Sequence, residues 1–529
     1  MSRPSTRNLH SRSLRLAGIC LAGLTMSVGW GFRGDYGHEA GAMVPGALVG
    51  LAICLASGRE DWWRRASIMA LCGAIGWAFG GQMSYGRVIG YTASSSFVDV
   101  AYGYAGLFLI GALWAGIGAA LLATSVTQPR SYLERFAGPL VVLWIVWFAL
   151  DLSGLTDRFS GRQYLHDTDW IAATSALIVA GGYVVLVPNA RSACALIATL
   201  AAGWWAGYLL LTVVFGLRMT PPRSDNWSAC VGLFVALLIY LHRRRDRVAL
   251  RMAAFAFLAG GLGFALGDFL QMLGRAQWGP IAKLQALQGL DYWKWMEQSF
   301  GLIMGLGVGA AFLGRLRTRL APPAEDQPPG HLSTIAAIFL LVVMIWINLR
   351  KNVESWTKGE HIPTHFFAIE VHWWFLFVGL LLAVAVGLAI LRHRRSPLAL
   401  VPPTPVGRAQ LLFLVILWIA IAGALAQALP RLADKGVFFV HTTFWITAAL
   451  ASLIMLSLPF TAGAHVRQTM APNDPQWRIK RGYWIACLLV PLLLIALAYL
   501  TVTSHTDPLS GSHLRFPDVT APRTEQTPP

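Results

Sequence analysis

Arg33, Asp35, His38 and Glu39 are crowded into the run Gly29-Trp30-Gly31-Phe32-Arg33-Gly34-Asp35-Tyr36-Gly37-His38-Glu39-Ala40-Gly41, among five glycines. Glycine lets backbone approach a ligand closely and relieves strain in a tight bend. A capped turn with Arg33 paired to Asp35 or Glu39 would account for these residues in water. Here they join two runs apolar enough to cross a bilayer, where ionisable groups persist when they satisfy one another or a ligand. The run is therefore a candidate binding site, and Asp35, His38 or Glu39 has the chemistry of a general base.

A second group closes two other apolar runs: Gln82 and Arg87 in one, Asp268, Gln271 and Arg275 in the other. Arginine forks bind carboxylate or phosphate through two bonds at once, although an arginine at a helix end also anchors it by snorkelling. A third group lies between Asn348 and His372, where Glu360, His361 and His365 suggest zinc but Pro363 interrupts a regular helix. It reads better as a solvated loop. Asp151, Lys294 and Glu297 read as ion pairs at helix edges. No P-loop, GxSxG, HExxH or EF-hand pattern occurs, so neither metal nor cofactor is expected, and ATP-driven transport by this chain alone is disfavoured. The six cysteines all fall inside apolar runs without a CxxC pair and read as small core residues.

The elements that must position these groups are membrane helices. Hydrophobic residues make up 56% of the 529 and charged residues only 13%, against roughly 25% charged in soluble proteins. Apolar runs recur near 13–30, 40–57, 66–84, 102–125, 136–153, 169–187, 192–217, 226–241, 249–273, 292–314, 331–348, 369–391, 408–428, 437–458 and 482–502, each about long enough to span a bilayer. The composition excludes a soluble enzyme, a secreted disulfide scaffold and a porin. The net charge of +17 is explained by topology rather than nucleic acid, because most Lys and Arg collect in alternate loops, such as Arg59/Arg64/Arg65 and Arg243 to Arg251. That asymmetry predicts a cytoplasmic N-terminus in the cell inner membrane. The first apolar run lacks a small-residue cleavage site and reads as a retained helix rather than a signal peptide. Residues 504–529, rich in Pro, Ser and Thr, read as a disordered periplasmic tail.

An internal repeat is also visible. Leu71-Cys72-Gly73-Ala74-Ile75-Gly76-Trp77-Ala78-Phe79-Gly80 aligns with Leu258-Ala259-Gly260-Gly261-Leu262-Gly263-Phe264-Ala265-Leu266-Gly267, followed by Gln82-Met83 and Gly86-Arg87 against Gln271-Met272 and Gly274-Arg275. Six spans separate the copies, so the repeat is parallel. The expected organisation is an all-α polytopic membrane protein with a first six-helix repeat (1–190), a second (191–400), three extra helices (401–503) and the tail (504–529). The turn Gly58-Arg59-Glu60-Asp61-Trp62-Trp63-Arg64-Arg65 is similar to the acidic–basic turn that the major facilitator superfamily keeps between its second and third helices. Arg245-Asp246-Arg247 occupies the equivalent place in the second half. The extra spans depart from that family's twelve-helix layout, and membership does not follow.

Parallel repeats are one layout of secondary transporters, with the site between the halves. The expectation is a permease for a small polar or anionic organic solute, bound by Arg33, Asp35, His38, Glu39, Gln82, Arg87, Asp268, Gln271 and Arg275 in a single cavity. Its partners would be that solute and the lipid bilayer. The alternative is a membrane-embedded transferase acting on a lipid-linked or envelope glycan, and a non-catalytic assembly or sensory protein is the third class.

Overall fold

The computed structural model describes residues 6–159, 165, 167–221, 225–323, 331–458 and 469–516, with the side chains of 6–12, 286 and 315 left aside. His166 and residues 517–529 of the expected tail lie outside the described residues. The chain is an all-α polytopic membrane protein, with fourteen helices among the described residues long and apolar enough to cross a bilayer and a shorter apolar helix at Ala66–Gly80. Together these match the fifteen apolar runs of the sequence. In hydrocarbon every backbone N–H and C=O must be satisfied within the segment, and a helix does this at any sequence position.

Six long helices form a closed ring, each packed on the next. They are α1 (Thr6–Arg33), α2 (Glu39–Ala56), α3 (Ala66–Gly80), α5 (Phe97–Thr127), α10 (Arg247–Arg275) and α11 (Tyr292–Ala311), which returns to α1. The short helix α4 (Gly86–Thr92) lies against α5. Close approach depends on glycine: a Cβ on Gly76 or Gly80 of α3 would strike Gly118 or Trp114 of α5, and one on Gly263 or Gly267 of α10 would strike Phe300 or Met296 of α11. The ring is filled rather than hollow. Trp30, Trp77, Trp114, Phe264 and Phe300 are at most 1% exposed, and Trp30 meets both Trp114 and Phe300 edge-on at 4.9 Å between centroids.

The remaining helices pack around the ring. These are α6 (Ala137–Leu152), α7 (Asp169–Leu186), α8 (Arg191–Gly207), α9 (Asn226–Arg243), α12 (Leu332–Lys358, with a π-helical middle), α13 (Val371–Arg395), α14 (Pro405–Ala428), α15 (Lys435–Ser457) and α16 (Arg481–Val502). In α13 only Gly379 is buried, so this helix presents nearly its whole surface outward.

The ring draws on both stretches expected as repeats: it takes α1, α2, α3 and α5 from residues 1–190 and α10 and α11 from residues 191–400, while α8 and α9 pair with each other outside it. The aligned helix ends also differ. α10 continues unbroken to Arg275, whereas α3 stops at Gly80 and Arg87 sits on the separate α4. Where α3 stops, its cap residue Gly81 lies so close to the start of α2 that a Cβ there would fall 2.5 Å from the Glu39 Cα. Finally, much of the segment expected as a loop from Asn348 is the helical end of α12. Only its later part is irregular, with a two-residue hairpin pairing His365–Phe366 with Ile369–Glu370.

Residues 504–516, expected to be disordered, run along the ring instead. Backbone bonds tie Leu509 N to Ala93 O (2.9 Å) and His513 N to Gly90 O (2.8 Å). The carboxylate of buried Asp99 accepts from Arg515 N (2.7 Å) and Phe516 N (2.9 Å). A polar tail gains order where its backbone finds such partners. This strap lies at the ring end that carries the turn between α1 and α2.

Candidate functional site

The turn between α1 and α2 places Arg33 inside the ring, 1% exposed. Its guanidinium donates to the Tyr85 hydroxyl and to Glu297 Oε1 (3.3 Å). It is boxed by the rings of Trp30, Tyr85 and Trp114, with centroids 5.1 to 5.6 Å away. Tyr85 donates in turn to Glu297 Oε1 (2.8 Å). Burial, ahead of the opposing influences of Arg33 and Glu297, raises the Tyr85 phenol above its ordinary range, so it stays a proton donor. Lys294, one helical turn before Glu297, pairs with Asp35 Oδ1 (2.9 Å), lies 3.7 Å from Glu297 Oε2 and donates to Gly31 O (3.0 Å). Arg33 and Lys294 thus balance Glu297 and Asp35. The network remains under-bonded: Arg33 Nε and Nη1, Asp35 Oδ2 and Glu297 Oε2 are buried without hydrogen-bond partners.

Tyr85 also stacks on Trp293 (5.8 Å between centroids, 22° between planes). Trp293 also lines a cavity of about 360 Å³, together with Gln271 and Arg275 of α10, Asp291 and Tyr292 at the start of α11, Gly86 and Gly90 of α4, and Ser510 and Gly511 of the strap. Arg275 donates to the Ser510 carbonyl. Gln271 is 2% exposed and its Oε1 has no partner. One turn deeper, Asp268 is fully buried with neither carboxyl oxygen hydrogen-bonded. Thr92 stands beside it, its hydroxyl donating to Ile89 O (2.8 Å).

A third neighbourhood forms where the start of α2 faces α7 and α9. Asn226 donates to Asp169 Oδ2 (2.5 Å) and to the Gln82 carbonyl (3.3 Å). The Gln82 side chain accepts from Trp204 Nε1 and donates to Phe79 O (2.8 Å). Glu39 interacts electrostatically with Asp167 and Asp169. His38 is exposed, its ring 6.5 Å from that of Tyr85.

All nine candidates therefore sit at one end of the ring but not in one cavity. Arg33 and Asp35 belong to the buried network. Gln271 and Arg275 line the cavity, with Asp268 beneath it. Gln82 and Glu39 belong to the third group, and His38 lies at its edge. Arg87 stands beside Tyr91 and His513 at the strap. The Tyr85–Trp293 stack is the partition between network and cavity. Lys294 and Glu297, expected as ion pairs at helix edges, do pair at 3.7 Å, but at the centre of the network and together with Tyr85, which no sequence pattern marks. A signal was present in the i, i+3 spacing of Lys294 and Glu297 within an apolar run. Asp151 does pair at a helix edge, with Arg350 at 3.4 Å. Glu360, His361 and His365 are exposed, and among the described residues no group of three or more His, Cys, Asp or Glu is placed to hold a metal.

Compared with known proteins, the chain matches no family model and no curated protein sequence.

Proposed function

We propose that this protein is a secondary transporter of the inner membrane, a permease for a small polar or anionic organic solute that enters from the periplasmic end of the ring. The observation that carries this reading is the adjacency of two features. A solvent-reachable cavity bearing Gln271 and Arg275 abuts, through the Tyr85–Trp293 stack, a charge-balanced and under-bonded network inside the helix ring. Burying four ionisable groups is costly, and their incomplete bonding gives them alternative partners to adopt when a solute or proton arrives. The packed aromatics beyond Arg33 close the path toward the basic end, as alternating access requires of one state. Asp35, Glu39 and Asp268 are the carboxylates proposed to couple movement to protons or sodium.

The test is uptake of radiolabelled amino acids and small carboxylates by proteoliposomes, under imposed proton or sodium gradients. Gradient-dependent uptake that disappears in Glu297→Gln, with the variant still folded, supports the permease. Absence of movement for every solute under both gradients removes it.

A further inference from the structure

We infer that the cavity beside Trp293 binds a small zwitterion of the α-amino acid type, whose carboxylate replaces the Ser510 carbonyl on Arg275. The cavity carries polar groups of both kinds. Arg275 is a cationic donor, now held by a neutral carbonyl of the strap. Gln271 Oε1 is an acceptor without a donor, although the side chain is 2% exposed and lines the cavity. Asp268, on the same face of α10 one turn deeper, is a buried carboxyl group within electrostatic reach of Arg275, and neither of its oxygens has a hydrogen-bond partner. Buried polar atoms are rarely left unpaired, and a pair of orphan acceptors in and under a cavity calls for a donor.

A simple anion would satisfy Arg275 and leave Gln271 Oε1 and Asp268 without one. A simple cation would face Arg275, as a simple anion would face the Asp291 carboxylate that lines the same cavity. A zwitterion meets both: its carboxylate takes the guanidinium fork, and its ammonium donates to Gln271 Oε1 in a cavity that also carries the Asp291 carboxylate, with the Asp268 carboxyl beneath. The exposed indole of Trp293 supplies an apolar wall for the side chain, and the volume suits a molecule of this size.

The strap is built to yield locally. Its anchors flank the occupied carbonyl: Leu509 on Ala93, His513 on Gly90, and Arg515 and Phe516 on Asp99. Between them Ser510 and Gly511 bridge the cavity mouth, Gly511 adopting a φ of 70°. The closed strap therefore competes with the ligand for Arg275 and lowers its apparent affinity by the fraction of time it is seated.

This inference rests on the reading of this end as a solute site, but not on transport. Full-length protein in lipid nanodiscs is titrated by calorimetry with L-phenylalanine, 3-phenylpropanoate (no ammonium) and 2-phenylethylamine (no carboxylate). L-phenylalanine is expected to bind, and each analogue to bind about tenfold or more weakly, because each leaves a buried group unpaired. In Arg275→Gln, L-phenylalanine should fall to the level of the amine. Asp99→Ala, which removes a strap anchor without touching the cavity, should tighten binding about threefold. Phe516→Ala, which removes an edge contact on Tyr102 and the ring beneath the Arg515 guanidinium, should act in the same direction if Asp99→Ala fails to fold. Equal binding of 3-phenylpropanoate, or no binding of any of the three, overturns the zwitterion site. Unchanged affinity in a folded strap variant overturns the competition. Binding without uptake would remove the permease and leave this site standing.

Discussion

Arg59 and Arg65 at the basic end of the ring and Arg33 at the other end are equally hidden, at 2%, 0% and 1% exposure, yet they are held differently. Arg59 makes a two-pronged bond to Asp61 (2.9 and 2.6 Å) and donates to the carbonyls of Arg317 (3.1 Å) and Leu320 (2.7 Å). Arg65 donates to the carbonyls of Ser125 (3.0 Å) and Gln128 (2.7 Å). Those carbonyls belong to chain leaving helices, where the helix dipole and unpaired C=O groups favour a cation. Arg33 has a phenol, a carboxylate shared with Tyr85 and three aromatic faces, and two of its nitrogens lack partners. One end uses buried arginine to tie helix ends together; the other keeps it among groups that can change partners.

The sharpest way to break this comparison is Glu297→Gln. It leaves Arg33 buried without an anion, and loss of one partner of a buried pair costs about 3–5 kcal/mol. Thermal unfolding in detergent should fall markedly, and the double variant Arg33→Leu with Glu297→Leu should recover much of the loss. A single variant as stable as the parent would show that Arg33 is not confined as described.

Arg59→Met also frees Asp61, but that carboxylate is 23% exposed and can turn to water, so the change should cost less, about 1–3 kcal/mol, mainly for the carbonyls left unsatisfied. Solute uptake per folded molecule should stay unchanged. If uptake falls while the fold is retained, the division between a structural end and a working end is wrong.

A smaller effect is expected from His513, which seats the strap on Gly90. Burial, and then Arg87, lower its imidazole below the ordinary value. A lowered histidine favours the neutral form, so its contribution to strap seating is complete above the unperturbed value of about 6.5. That contribution is lost as pH falls through the depressed folded value. Cleavage of the strap by a protease calibrated at each pH should be slow at neutral pH and faster in acid. Equal cleavage across that range would refute the coupling. The smallest change is Asp151→Asn: its pair with Arg350 is more than a third exposed on both sides, and solvent-screened pairs contribute within about 1 kcal/mol. A larger loss in thermal stability would place that pair in the core.

The helices and the polar end were legible in the sequence, and the grouping of side chains was not. Arg33 and Asp35 stood out because they interrupt apolar sequence, and the structure does put them in a buried network. Glu297 looked like an edge residue because its position in α11 says nothing about α1. Its bond to Arg33 joins residues 264 apart in the chain. Gln82 and Gln271 looked equivalent by alignment. They face different neighbourhoods because α3 ends where Gly81 meets α2, while α10 runs on to Arg275. The composition of the tail suggested disorder, since few of its side chains are apolar; backbone bonds to Ala93, Gly90 and Asp99 order residues 504–516 instead.

The sequence alone determined that this is a helical, many-times membrane-spanning chain and where each span lies. Hydropathy is additive along a local window, and a helix satisfies its own backbone in lipid. Tertiary structure decided which helices close the ring, that aromatics fill it, and that the Tyr85–Trp293 stack divides one expected cavity into a network and a pocket. Those outcomes depend on shape complementarity between helices distant in the chain, above all on where glycine permits contact, and that property has no local signature.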